Sequence, residues 1–141
     1  MEEPEKANMA AIPAEFQDLF EKETIAHVAT LFPEGAPHIT PVWIDYDLAD
    51  DRLLVNTERH RRKVLNVTEN PSVAVSMADP DDSYRYLSVT GEVETMTTEG
   101  AREHIDALSR RYFGEDYPVE IESERVILRI RPERVFSRQS G

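Results

Sequence analysis

Cysteine is absent from the chain, which removes disulfides, thiolate metal sites and cysteine nucleophiles from consideration. No apolar run is long enough to cross a bilayer as a helix, so no membrane contact is expected. The opening residues, Met1 to Ala10, are charged and polar and lack a secretory apolar stretch, which points to a cytoplasmic protein. Gly-rich phosphate loops and the Gly-x-Ser-x-Gly elbow of hydrolases are missing. The histidines His27, His38, His60 and His104 are scattered, with no pair three or four residues apart. Zinc without cysteine needs clustered histidine and carboxylate, so no metal site is expected.

Lysine is scarce as well: Lys6, Lys22 and Lys63 stand among arginines. With 28 Asp and Glu against 16 Lys and Arg, the formal net charge is −12, which disfavours nucleic acid as a general partner. A surface this acidic fits a high-salt (halophilic) cytoplasm, where carboxylates stay hydrated and salt screens their repulsion. It fits an ordinary acidic protein equally, and composition leaves both readings open.

What is present organises as one domain. A chain of 141 residues buries roughly two-thirds of its unfolded surface, enough for one core. Residues 1–11 read as a disordered acidic tail, 12–137 as the domain and 138–141 as a second tail. Pro13 opens a short helix whose stripe is Ile12, Phe16, Leu19 and Phe20. Strands follow over Thr24–Phe32, Pro37–Tyr46 and Arg52–Thr57, the first two separated by Pro33-Glu34-Gly35. Pro41 inside the second strand lacks a ladder N–H and predicts a bulge or an open edge. Arg61–Glu69 reads as a helix with Val64, Leu65 and Val67 inward, stopped by Asn70-Pro71. Strands Ser72–Ala78 and Tyr84–Met96 come next, Gly91 marking a bend or a close backbone approach. Thr97 or Thr98 is positioned to cap a third helix, striped by Ala101, Ile105, Leu108 and Tyr112 and closed by Gly114. In the last strand, about Glu124 to Phe136, Val126, Leu128 and Ile130 alternate with Arg125, Arg129 and Arg131. Six strands joined by short turns, with three helices and no βαβ rhythm, predict a mainly β (α+β) fold: a six-stranded antiparallel barrel with three flanking helices.

Two stretches carry candidate chemistry. Arg59-His60-Arg61-Arg62-Lys63 is a basic run in an acidic chain, placed between a strand ending in Asn56-Thr57 and a helix start. Charge alone makes it a solvated face that offsets neighbouring acids. The layout of strand, polar pair, basic run and helix is that of a phosphate clamp, with arginine for bidentate contacts and lysine as a point charge. In Thr40-Pro41-Val42-Trp43, proline frees strand backbone for a flat ligand and an aromatic follows. Trp43 taken alone reads as core. No residue stands out as catalytic.

In order, His27–Leu31, Pro33–Pro37, Thr40–Trp43, Val55–Thr57, Arg61–Val64 and Asn70-Pro71 resemble the pyridoxamine 5'-phosphate oxidase-like superfamily of FMN-binding split-barrel proteins. Arg85-Tyr86-Leu87, Gly91-Glu92-Val93 and Arg111–Gly114 extend the likeness over about residues 13–136. Within it the chain looks most similar to the group that uses the deazaflavin coenzyme F-420. The resemblance implies a homodimer with two cofactor sites at the interface, each lined by both subunits. Arg61 and Lys63 would hold the cofactor phosphate with help from Asn66. Thr40, Pro41, Val42 and Trp43, with Asn56 and Thr57, would line the ring and ribityl chain, with Met77 in the same pocket. The implied activity is hydride transfer to or from a small organic substrate. The alternatives are an FMN protein of the pyridoxamine phosphate oxidase type and a non-catalytic flavin-binding or carrier dimer. F-420 carries an acidic tail that favours a basic channel, for which the chain offers residues 59–63 and Arg85.

Overall fold

The alternating C-terminal run forms the strand around which the sheet is built in the computed structural model, which describes residues 6–9 and 11–139. This is β8 (Arg125–Arg138), whose Val126, Leu128, Ile130 and Val135 point into the core. One edge of β8 pairs with β7 (Asp82–Thr97); the other is shared by β5 (Arg52–Glu58) and β1 (Lys6–Met9). The full order is β3 (Pro37–Trp43), β2 (Ile25–Leu31), β6 (Ser72–Asp79), β7, β8, β5 and β4 (Asp45–Asp47), every pair antiparallel. Its two end strands, β3 and β4, are consecutive in the chain, joined through the buried Ile44. The sheet therefore curls until its ends meet, and no ladder joins β3 to β4 or β5 among the described residues. This is a split barrel, closed enough to bury one core.

Helices pack against the sheet. Ala14–Glu21 is a 3₁₀ helix, begun by the Phe16 amide donating to the Pro13 carbonyl at 2.9 Å. Three residues per turn bring Phe16 and Leu19 onto one face, where they join Phe20 in the core. α1 (Arg62–Glu69) and α2 (Ala101–Phe113) lie over the strands, α2 burying the expected Ala101, Ile105, Leu108 and Tyr112. Gly114 ends α2 in the left-handed region at φ 81°, its N–H reaching the Ser109 and Arg110 carbonyls.

Several expectations are corrected. Among the described residues there are eight strands rather than six. One addition, Lys6–Met9, falls in the segment read as a disordered tail and pairs in register with Arg134 to Ser137; backbone pairing needs no apolar pattern. Residues 1–5, 10 and 140–141 lie outside the described residues. The other addition arises because the run Pro37–Tyr46 breaks at Ile44. There the backbone N–H donates to the Tyr112 hydroxyl at 3.2 Å and the carbonyl accepts from Arg111 Nη1 at 3.0 Å. Side chains of α2 thus take the hydrogen bonds a ladder would use. Of the two outcomes expected at Pro41 the open edge holds and the bulge does not: Pro41 sits in register opposite His27, and β3 has one edge unpaired among the described residues, where a missing N–H costs no ladder bond. In α1, Leu65 is 47% exposed while Lys63 and Asn66 are buried beside Val64 and Val67. Neither Thr97 nor Thr98 caps α2 with its side chain. Gly100 takes the N-cap position, and the Thr97 hydroxyl accepts from the Glu99 amide instead.

Gly91 fulfils its close-approach reading. The register with β8 shifts beside it, and a Cβ there would lie 2.1 Å from the Arg131 carbonyl oxygen. Backbone on both sides leaves no flexible group to give way. Gly91→Ala is expected to cost about 3 kcal/mol in urea unfolding, at the upper end of overpacking effects.

An ion network ties the 3₁₀ helix to the β6–β7 hairpin. Arg85 reaches Asp18 and Asp79 at 2.8 Å each, and Lys22 reaches Asp79 at 2.8 Å. Burial alone would raise the Asp79 carboxyl, but hydrogen bonds from Lys22, the Asp81 amide and Arg85 outweigh it and hold it at about 2. A carboxylate depressed in the folded state adds stability above its unfolded value, near pH 4, and that contribution disappears as pH falls toward 2. Asp79→Asn is therefore expected to lower stability at neutral pH and to flatten its decline between about pH 4 and pH 2, read by thermal unfolding across that range.

Candidate functional site

Where β3 and β5 end beside the start of α1, a cleft of about 420 Å³ opens. Its character differs from one side to the other. The end of β3 contributes Thr40, Pro41, Val42 and Trp43, and Ile25 and Ile105 extend this apolar side. Trp43, the sole tryptophan, stacks on Tyr112 with centroids 4.9 Å apart and planes 13° from parallel. Phe113 and Tyr117 meet it edge-on at 5.0 and 6.1 Å. Tyr112 is itself anchored, its hydroxyl donating to the Thr24 carbonyl while accepting from the Ile44 amide. The indole is both packed and cleft-lining, held as a rigid flat wall.

The other side is cationic. The basic run divides as it enters α1. Arg59 pairs with Glu124 at 2.8 Å, His60 Nδ1 contacts the Ser123 hydroxyl at 2.7 Å, and Arg62 lies over the Phe32 ring. Only Arg61 and Lys63 face the cleft, next to Thr57. Lys63 is 8% exposed, and neither it nor Arg61 has a carboxylate within 4.0 Å among the described residues. Burial, with the charges of Arg61 and Arg125 behind it, pushes the Lys63 ammonium below the usual lysine range.

Arg125 completes the group. Its Nε donates to Asn56 Oδ1 at 2.9 Å, and its guanidinium lies 5.1 Å from the centre of the Tyr117 ring. Glu58 is the nearest acid, 3.8 Å from Nη1. That carboxylate is occupied elsewhere: burial would raise it, but the amides of Ser123 and Glu122 bring it below the usual range. Ser123 donates to it at 2.6 Å. Three cations thus converge in a chain of net charge −12, and among the described residues the one carboxylate within 4.0 Å of any of them is Glu58, which meets Arg125 alone at 3.8 Å. A buried charge without a partner costs several kcal/mol, so the arrangement is complementary to an anion.

Eight of the ten candidate residues come together here: Thr40, Pro41, Val42, Trp43, Asn56, Thr57, Arg61 and Lys63. Two do not. Asn66 is buried on the inner face of α1 and donates to Thr30 Oγ1 at 3.0 Å, and Met77 is a core residue of β6 opposite Ala26. Arg85, read as a possible channel cation, is bound into the ion network with Asp18 and Asp79. Sequence reasoning missed Ile25, Ile105, Tyr117 and Arg125. Arg125 lies on the face of β8 away from the barrel core, where alternation predicts solvent; the Tyr117 ring covers it there. Among the described residues no group of three or more His, Asp and Glu side chains is placed to hold a metal, and no helix is long and apolar enough to span a membrane.

Residues 12–139 match the profile of the family described as pyridoxamine 5'-phosphate oxidase. The chain belongs to this family. Its fold agrees with that membership: an F420 reductase structure superposes with a TM-score of 0.77 and 33% identity, over 88% of this chain and 98% of that one. HupZ from Group A Streptococcus (TM-score 0.65, 21% identity) covers 92% of this chain and 96% of its own. A putative pyridoxamine 5'-phosphate oxidase from Listeria innocua (0.62, 22%) covers 87% and 94%. The latter two share the fold. A search of the curated proteins gives no match. The architecture is therefore that of the flavin and deazaflavin oxidoreductase type, in a split barrel of the pyridoxamine 5'-phosphate oxidase family.

Proposed function

We propose that the cleft binds the phosphate-bearing deazaflavin coenzyme F-420 and that the protein is an F-420-dependent oxidoreductase acting on a small organic substrate. One observation carries this reading: Lys63 is buried without an acidic partner beside Arg61 and Arg125, across from a flat aromatic wall. The 33% identity to an F420 reductase favours the deazaflavin. Arg61 and Lys63 would hold the phosphate, and Thr40 to Trp43 with Thr57 would line the ring and ribityl chain. Asn56 takes a different part, because its amide is already used to hold Arg125. Bound F-420 supplies hydride chemistry; the chain supplies a charged anchor, a rigid wall and exclusion of water.

FMN is the second reading, favoured by the small number of free cations. With Arg59 paired to Glu124 and Arg85 to Asp18 and Asp79, the cations that remain suit one phosphate better than a long acidic tail. The homodimer belongs to the same proposal. The edge of β3 that is unpaired among the described residues, with Ile39 62% exposed, and the neighbouring exposed Ile25 offer a surface for a second copy beside the cleft.

Side-by-side fluorescence titration with F-420 and FMN, in low and molar salt, tests the reading. Micromolar or tighter F-420 binding with much weaker FMN is expected. Preference for FMN moves the protein to the flavin reading, and binding of neither overturns the assignment of the cleft. Sedimentation of the protein as a monomer would overturn the dimer.

A further inference from the structure

Behind the cleft a hydrogen-bonded chain runs Arg111, Asp45, His104, Asn56, Arg125, and the roles along it are forced. Asn56 Nδ2 lies 2.8 Å from the Ala101 carbonyl, which only accepts, and its Oδ1 lies 2.9 Å from Arg125 Nε, which only donates. The amide therefore has one orientation. Its second Nδ2 hydrogen points at His104 Nδ1, 3.0 Å away, so that nitrogen must carry a lone pair. The ring proton is then on Nε2, donating to Asp45 Oδ2 at 2.9 Å, while Arg111 holds the other Asp45 oxygen at 2.9 Å. Every partner is satisfied with His104 neutral.

Protonation of His104 breaks this arrangement. An Nδ1–H would face the Asn56 NH₂ donor to donor. Turning the amide to offer Oδ1 to the imidazolium puts oxygen against the Ala101 carbonyl and NH₂ against Arg125 Nε. Arg125 then loses its anchor, and Glu58, 3.8 Å away, is the acid that would draw it from the cleft. We propose that His104 is a positioning residue: its protonation releases Arg125, so the cleft holds its anion more weakly in acid than in base. The inference rests on the cleft being the anion site proposed above. Linkage fixes the sign, since an anion that needs Arg125 in place favours neutral His104. The charged and titratable groups around the ring are Asp45 and, through it, Arg111 and Tyr112; Arg125, Glu58 and Tyr117 lie beyond Asn56.

The test has two arms. In the ligand-free protein, the Arg125 Nε–H resonance is followed by NMR from about pH 8 to about pH 5, the range in which histidine charge changes. It is expected to move together with the His104 ring in the wild type and to stay still in His104→Gln, whose amide accepts from Asn56 and donates to Asp45 at any pH. An Arg125 signal indifferent to His104, or one that moves equally in His104→Gln, overturns the proposal. In the second arm F-420 and FMN are titrated at both ends of that range. The wild type is expected to lose about tenfold more affinity in acid than His104→Gln. Equal losses overturn it. His104→Leu, which strands Asn56 and Asp45, is expected to bind weakly throughout, with Gln as the rescue. His60 and the ligand phosphate are common to the wild type and His104→Gln, so their contributions cancel in the difference. If neither ligand binds at the upper pH, the cofactor reading fails, and the relay is decided by the NMR arm alone.

Discussion

Replacing Lys63 by methionine is expected to weaken F-420 binding roughly a hundredfold and, in the same protein, to raise the stability of the ligand-free fold. Both effects have one cause. Lys63 sits 8% exposed on α1 with Arg61 and Arg125 as its charged neighbours and no carboxylate in reach among the described residues. Burial of an unpaired ammonium is unfavourable, and the anionic ligand proposed above would offset it. Methionine keeps the volume and removes the charge, so the free protein gains about 1–2 kcal/mol while the complex loses its main electrostatic contact. The pH dependence gives an independent check. A base whose ammonium is depressed in the folded state binds fewer protons there than in the unfolded chain. Stability of the free protein therefore rises with pH through the interval between its folded value and the ordinary lysine value near 10.4. The Lys63→Met difference curve isolates that rise. Urea unfolding at several pH values reads stability, and fluorescence titration reads affinity. A variant both less stable and unchanged in affinity would show that Lys63 is a packing residue.

How much of this was legible beforehand divides along physical lines. Patterns set by one chain segment read well. Ala101, Ile105, Leu108 and Tyr112 face inward as their spacing requires, Gly114 closes the helix, and Gly91 touches the β8 backbone. The division of the basic run was not legible, because only the helix geometry and the neighbours Glu124, Ser123 and Phe32 decide which bases leave the cleft. Arg125 and Tyr117 were invisible for a related reason: strand alternation assigns a face, and a segment distant in sequence decides whether that face is wet. Asn66 and Met77, taken from the family resemblance as cofactor contacts, do not line the cleft. A resemblance places a residue in the chain order, while the packing around it decides its surroundings: here Asn66 braces Thr30 and Met77 fills the core. The break at Ile44 depends on Tyr112 and Arg111, nearly seventy residues away in sequence.

That long-range break sets up the second large effect. Tyr112→Phe is expected to cost about 3 kcal/mol and to lower the melting temperature by roughly 10 °C, although it removes one oxygen and no apolar surface. The hydroxyl is buried between the Thr24 carbonyl, to which it donates, and the Ile44 amide, from which it accepts. Phenylalanine leaves both backbone groups without those partners, and unpaired buried polar groups cost about 1–3 kcal/mol each. Both sit at points the architecture depends on. Thr24 leads into β2, and Ile44 is the corner at which the sheet turns from β3 into β4. The same ring is the platform on which Trp43 stacks, so a relaxed corner also releases the flat wall of the cleft. Thermal unfolding gives the stability loss, and the emission of Trp43, as the only tryptophan, reports whether its surroundings have changed. A loss of stability with unaltered emission would separate the corner from the wall. No change in either would mean that water replaces the hydroxyl at both backbone groups, and the break at Ile44 would then need another cause.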